Sequence, residues 1–131
     1  MRKTKQIFRF IVEKTHSGYS AYSVDLPIAT TGESFTKLLY NATEAYNLYL
    51  EGTDMEIDEN NIKLEIDLKQ FFQYYRVLNA KFLARRIGMN ETLLSQYVQG
   101  RKKPSPRQTR RILMGIQEIG KELSNLHLFV Q

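Results

Sequence analysis

Six polar side chains, Asn90, Glu91, Thr92, Ser95, Gln96 and Gln99, fall in one short stretch at spacings that turn them outward from a single helix. They are mostly uncharged amides and hydroxyls, groups that donate and accept hydrogen bonds at base edges in a DNA major groove. Arg85, Arg86, Arg101, Lys102, Lys103 and Arg107 flank them, and these are the residue types that neutralise phosphates. Arg110 and Arg111 extend the basic run, although on a following helix they also suit snorkelling over its core. The outward face lacks the Glu/Lys pairs of a plain solvent face. The chemistry implied is recognition: the polar set reads bases and the basic set holds the backbone.

Two apolar-periodic segments must position these residues. Asn79 suits an N-cap, and a helix is predicted over Ala80–Ile87 with Phe82, Leu83 and Ile87 on its inner face. Ala84 is small enough for a close helix crossing. Gly88 supplies a left-handed turn, Met89 packs inward, and Asn90 caps a second helix over Glu91–Gln99 held by Leu94, Tyr97 and Val98. This is how a helix-turn-helix looks in sequence. A glycine-turned helical hairpin is also common in all-α domains, where its polar face is merely solvated. Further helix is predicted to about Leu126, broken at Gly100 and at Pro104-Ser105-Pro106.

Charge divides the chain in the same place. Residues 1–78 carry 9 Lys+Arg against 11 Asp+Glu, a net −2, whereas residues 79–131 carry 10 against 3, a net +7. The polyanion partner, double-stranded DNA, therefore belongs to the back half. With 42% hydrophobic and 25% charged residues, the balance is that of a soluble globular chain. The absence of cysteine excludes disulfides, thiolate zinc sites and a cysteine nucleophile. Ile7 to Val12 is interrupted by Arg9 and too short for a signal or membrane segment, so the cytoplasm is the expected compartment.

The front half reads as β-β-β-α-β. Phe8, Phe10 and Val12 alternate with Ile7, Arg9, Ile11 and Glu13, and apolar residues on both faces predict a strand inside a sheet. Thr15-His16-Ser17-Gly18 is turn chemistry, and Tyr19 to Leu26 returns as a hairpin strand ended by Pro27. Ile28 to Thr31 suits a short third strand. Ser34 is placed to cap a helix whose apolar face is Phe35, Leu38, Leu39, Ala42, Tyr46, Tyr49 and Leu50, with Gly52 to stop it. Tyr19, Tyr22, Tyr46 and Tyr49 are expected to lie mostly in the core. The acidic run Thr53 to Asn61 suits a linker or surface loop that nothing holds in register. Ile62, Leu64 and Ile66 alternate as a half-buried strand. The expected class is α+β: a small antiparallel sheet with one packed helix over residues 1–68, then an all-α module over 69–131.

Several motifs in this order resemble HicB-type antitoxins. They are Ser17-Gly18-Tyr19 leading to Asp25-Leu26-Pro27, then Thr31-Gly32-Glu33-Ser34, then Asn41-Ala42-Thr43-Glu44-Ala45-Tyr46. The resemblance covers nearly the whole chain. It departs at Ile28-Ala29, where the family usually has Gly-Cys, and at Phe35-Thr36-Lys37, where acidic residues are common. It implies a truncated ribonuclease-H-like front module, a small HicA-like ribonuclease toxin as partner, and repression of the chain's own operon through an upstream operator. The front half's acidic excess suits a toxin whose RNA-gripping surface is basic.

Catalysis is not expected. A ribonuclease H needs several carboxylates around divalent metal, and Asp25 and Glu44 are too few. His16 and His127 have no second ligand at metal spacing, so neither metal nor cofactor is expected. The alternative is a stand-alone helix-turn-helix regulator whose front module dimerises or senses a ligand. RNA recognition lacks its aromatic-basic strand signature. A homodimer, or a tetramer of dimers, is expected through Tyr74, Val77 and Leu78 or through Leu126, Leu128, Phe129 and Val130. No membrane partner is expected.

Overall fold

The computed structural model describes residues 3–127 and is α+β, as expected. It divides into two compact units between Tyr74 and Tyr75. Among the described residues no helix is long and apolar enough to cross a membrane.

The front unit is built on a four-stranded sheet of order β3-β2-β1-β4, with β1 at Phe8–Thr15, β2 at Gly18–Ser23, β3 at Ala29–Gly32 and β4 at Ile62–Ile66. β1 is interior, as its two apolar faces predicted. The hairpin pairs Phe10 with Ser23 and Thr15 with Gly18. Gly18 is required for space: a Cβ there would strike the Gly32 carbonyl and lie 2.8 Å from Glu33 Cα. β2 stops at Ser23, short of Leu26, because the Ser23 hydroxyl accepts from the amides of Asp25 (3.2 Å) and Leu26 (3.1 Å).

The expectation of an antiparallel sheet is corrected. β4 runs parallel to β1, with Phe8 beside Ile62, Phe10 beside Leu64 and Val12 beside Ile66. Alternation of apolar residues identifies a strand with one buried face but carries no direction. Between β1 and β4 the chain passes through a helix, the connection a parallel pair requires.

That helix, α1 (Phe35–Tyr49), is capped by Ser34, whose hydroxyl accepts from the Lys37 amide. It buries Leu38, Ala42 and Tyr46 against Phe8, Phe10, Val12, Ala21 and Ile62. The Tyr46 ring centre is 4.4 Å from that of Phe8 and 6.3 Å from that of Phe10. The inner face is narrower than expected: Phe35 and Tyr49 are exposed, and so is Tyr22 on β2. α1 ends with Leu50 as its cap, and Gly52 lies two residues beyond.

The acidic loop is pinned, contrary to expectation. The Asn47 amide side chain donates to the Ile57 carbonyl (2.8 Å) and accepts from its N–H (2.9 Å), and Ile57 is buried. Asp58 and Asn61 form a capping box around a 3-10 turn at Glu59–Asn61. Asn61 also donates to the carbonyls of Thr4 and Gln6. α2 (Leu68–Tyr74) belongs with this unit, past the boundary at 68/69 drawn from sequence. The Gln70 side chain accepts from Lys14 N–H and donates to Lys14 O, both at 2.8 Å, so it prolongs the β1 ladder beyond β4.

The back unit contains α3 (Ala80–Ile87), α4 (Glu91–Val98) and α5 (Pro106–Ser124). Leu83, Ala84, Met89, Leu94, Tyr97 and Ile112 are its buried hydrophobic residues, and Gly115 is buried among the described residues too. Phe82 is not among them: it is 59% exposed, with the Arg85 guanidinium 5.2 Å from its ring centre. An eight-residue helix offers one narrow inner stripe, and Leu83, Ala84 and the half-buried Ile87 fill it. Leu128, Phe129 and Val130 lie outside the described residues.

Candidate nucleic-acid interface

The polar face is set by three local devices. Asn79 caps α3 by accepting from the Phe82 amide at 3.1 Å. Gly88 takes φ 70°, ψ 31°, the left-handed geometry a side chain disfavours, and the Met89 amide then donates to the Ala84 carbonyl at 2.9 Å. Asn90 starts α4 by accepting from the Leu93 amide at 3.0 Å. Met89, between the two caps, is driven into the core. All three devices were legible in the sequence, and both helices fall where predicted, with Gln99 as the C-cap of α4.

Burial of Leu94 and Tyr97 fixes the rotation of α4. Thr92 and Gln99 are exposed opposite them, and Ser95 and Gln96 are half-buried at the flanks of that face. Gln99 donates to the Ser95 hydroxyl at 3.1 Å, so these two side chains act together. The Asn90 side-chain oxygen is committed to its cap. The Glu91 carboxylate is paired with Arg85, a contact across the turn that no helical spacing reveals. Glu91 therefore screens Arg85.

The basic residues separate by what they touch. Arg86 pairs with Glu122 of α5. Arg101, Lys102, Lys103 and Arg107 are exposed. The run begins at a fixed place, because the Gln96 carbonyl accepts from the amides of Arg101 (2.9 Å) and Lys102 (3.3 Å). Ser105 then caps α5 by accepting from the Gln108 amide, with Pro106 in the first turn. Arg107 in that first turn and Arg110 in the next are exposed.

Arg111 has a different role. It donates to the Ile87 carbonyl at 2.9 Å and to Gln108 Oε1 at 3.0 Å. A guanidinium at the C-terminal end of α3 satisfies an orphan carbonyl and opposes the helix dipole. It links α5 to the turn that aims α4. Sequence offered phosphate contact or snorkelling for it, since the residues it joins are far apart in the chain.

Asp25 is exposed after β2, and Glu44 is exposed on α1, accepting from the Tyr40 hydroxyl at 2.9 Å. That hydrogen bond, with the nearby carboxylate charge, raises the Tyr40 pKa. Among the described residues no three His, Asp or Glu side chains gather as metal ligands would. Comparison with known families, curated proteins and solved structures finds no match to this chain.

Proposed function

We propose that this chain is a DNA-binding repressor of the antitoxin kind. Its back unit acts as a helix-turn-helix on operator DNA, and its front unit, a truncated ribonuclease-H-like module, holds a HicA-like ribonuclease. One observation carries the DNA half: α4 is capped and rotated so that Thr92, Ser95, Gln96 and Gln99 lie away from buried Leu94 and Tyr97, with Arg101, Lys102 and Arg107 exposed just beyond. Short polar groups on one helix beside fixed cations supply base readout and phosphate contact together. Asn90, Glu91, Arg85, Arg86 and Lys103 are assigned to the same role, Asn90 with less freedom because its cap engages it and Glu91, Arg85 and Arg86 because ion pairs do.

The antitoxin half rests on the HicB resemblance and on the front half's acidic excess, which suits a basic nuclease. Exposed Tyr22, on the sheet face away from Phe10 and Val12, and exposed Val24 just past β2 offer apolar surface for a protein partner. Two carboxylates as far apart in role as Asp25 and Glu44 favour binding over catalysis. Action in the cytoplasm as a homodimer or tetramer follows from the short reach of one recognition helix.

Co-expression with an adjacent small basic reading frame tests the proposal, with growth and pull-down as readouts and anisotropy on the upstream DNA in parallel. Relief of toxicity with DNA binding supports it. DNA binding without a toxin selects the stand-alone regulator. If neither relief of toxicity nor DNA binding is seen, the reading is overturned.

A further inference from the structure

α5 carries one continuous apolar stripe. Ile112, Ile116, Ile119, Leu123 and, just past the helix, Leu126 follow one another at steps of four, three, four and three residues. Within α5 that spacing is the a/d step of a coiled-coil seam. The unit uses only the start of it. Ile112 is fully buried and Gly115 lies against Ile87. Ile116 and Ile119 are half-buried, whereas Leu123 is 62% and Leu126 66% exposed.

We infer that the distal half of α5 is covered by the same stripe of a second copy of this chain, the two related by a two-fold axis. The repeat itself selects this occupant. Side chains at steps of four and three fill holes made by the same steps, so the surface is complementary to itself. Charge selects it again. Residues 79–111 carry 9 Lys+Arg against 1 Glu, but residues 112–131 carry 1 Lys against 2 Glu. Two strongly basic units repel each other least along this segment, where Arg86 is already paired with Glu122. The interface deepens the homodimer reading above and rests on it.

The test uses the full chain, which has no cysteine of its own. Ile116, Ile119, Leu123 and Leu126 are replaced singly by Cys and oxidised with copper-phenanthroline. At least one should cross-link to a dimer, and Met114→Cys, on the opposite side of α5, should not. In light scattering the unaltered chain should run at a multiple of 15.4 kDa. Leu123→Glu should raise the dimer dissociation constant more than about tenfold, because it places carboxylates in a desolvated seam. Met114→Glu should change nothing. A dimer untouched by Leu123→Glu, or cross-linking at Met114→Cys alone, overturns the seam and leaves the homodimer reading standing. An unaltered chain that is monomeric at micromolar concentration overturns both. Should Leu123→Glu lose helix by circular dichroism, the cysteine variants decide. Loss of operator binding in an intact dimer counts against the proposed function and not against the seam.

Discussion

Gly115 of α5 and Ile87 of α3 touch with no room for a methyl group between them. A Cβ on Gly115 would overlap Ile87 Cγ2 and stand 3.5 Å from Leu83 Cδ1. This contact sets how closely α5 lies on α3, and Arg111 fastens the same two helices one turn earlier. The turn at Gly88, and through it the direction of α4, therefore depends on a glycine distant in sequence.

The contact predicts opposite signs for two Gly→Ala changes in one helix. Alanine is preferred over glycine in a helix interior by about 1 kcal/mol, while overpacking costs about 1–3 kcal/mol. Ile87 is β-branched and held near one rotamer, so it cannot swing aside, and at Gly115 the overlap should win. Gly115→Ala should lower stability by up to about 2 kcal/mol. Gly120→Ala meets open space and should raise it by up to about 1 kcal/mol. Thermal melts of both variants check this, and a stabilised Gly115→Ala would show that α5 can slide.

Sequence reached the elements of the back unit because their ends are local chemistry. Asn79, Gly88, Asn90 and Ser105 each act on amides or carbonyls within a few residues. It did not reach what depends on distant neighbours. The direction of β4 is set by a crossover, and the pinning of the acidic loop by Asn47 on α1. Phe82 fitted an apolar period, yet an eight-residue helix had no inner place left for it. Gly115 left no usable signal, since Gly120 interrupts the same helix and meets open space. The polar face of α4 was legible because burial of Leu94 and Tyr97 follows from period alone. The pairing of Glu91 with Arg85 was not, since it crosses the turn.

Arg111 and Arg101 should separate a cation that holds the fold from one that holds DNA. Arg111→Met removes the bonds to Ile87 O and Gln108 Oε1 and should cost about 1–2 kcal/mol of stability. Below its melting temperature the variant should keep the salt dependence of DNA binding. Arg101→Ala should leave stability within about 0.5 kcal/mol, since the side chain is exposed. It should flatten the log–log salt slope by about 0.9 per lost contact in each subunit. Reversed behaviour would exchange the two roles.

Tyr46 should control the alkaline limit of the front unit. Burial raises its pKa first, with smaller contributions from Asp25 and Tyr49. A phenol whose folded pKa exceeds its unfolded value, about 10, contributes stability that is complete below that pH. The contribution is lost as pH rises through the folded value, because the unfolded chain gives up its proton first. Tyr46→Phe removes the titration and keeps the ring against Phe8 and Phe10. Urea unfolding at about pH 8 and about pH 11 should show the original chain losing more stability than the variant across that interval. Equal losses would assign the alkaline transition to other groups.

Gln96 offers the sharpest test of base reading, because its backbone and side chain do different work. The carbonyl holds the amides of Arg101 and Lys102, and alanine keeps that carbonyl. Alanine is also a good helix former, so α4 and the start of the basic run should survive Gln96→Ala. Only the amide on the polar face is lost. Glutamine can pair with adenine N6 and N7, a contact that discriminates by about 1–3 kcal/mol. Affinity for the operator should fall by roughly that amount, preference should relax at one base pair in each half-site, and the salt slope should stay unchanged. Anisotropy titrations on operator and scrambled duplexes, at several salt concentrations, measure all three. If Gln96→Ala and Arg101→Ala both leave operator affinity as it was, α4 is a structural helix and DNA is read elsewhere or not at all.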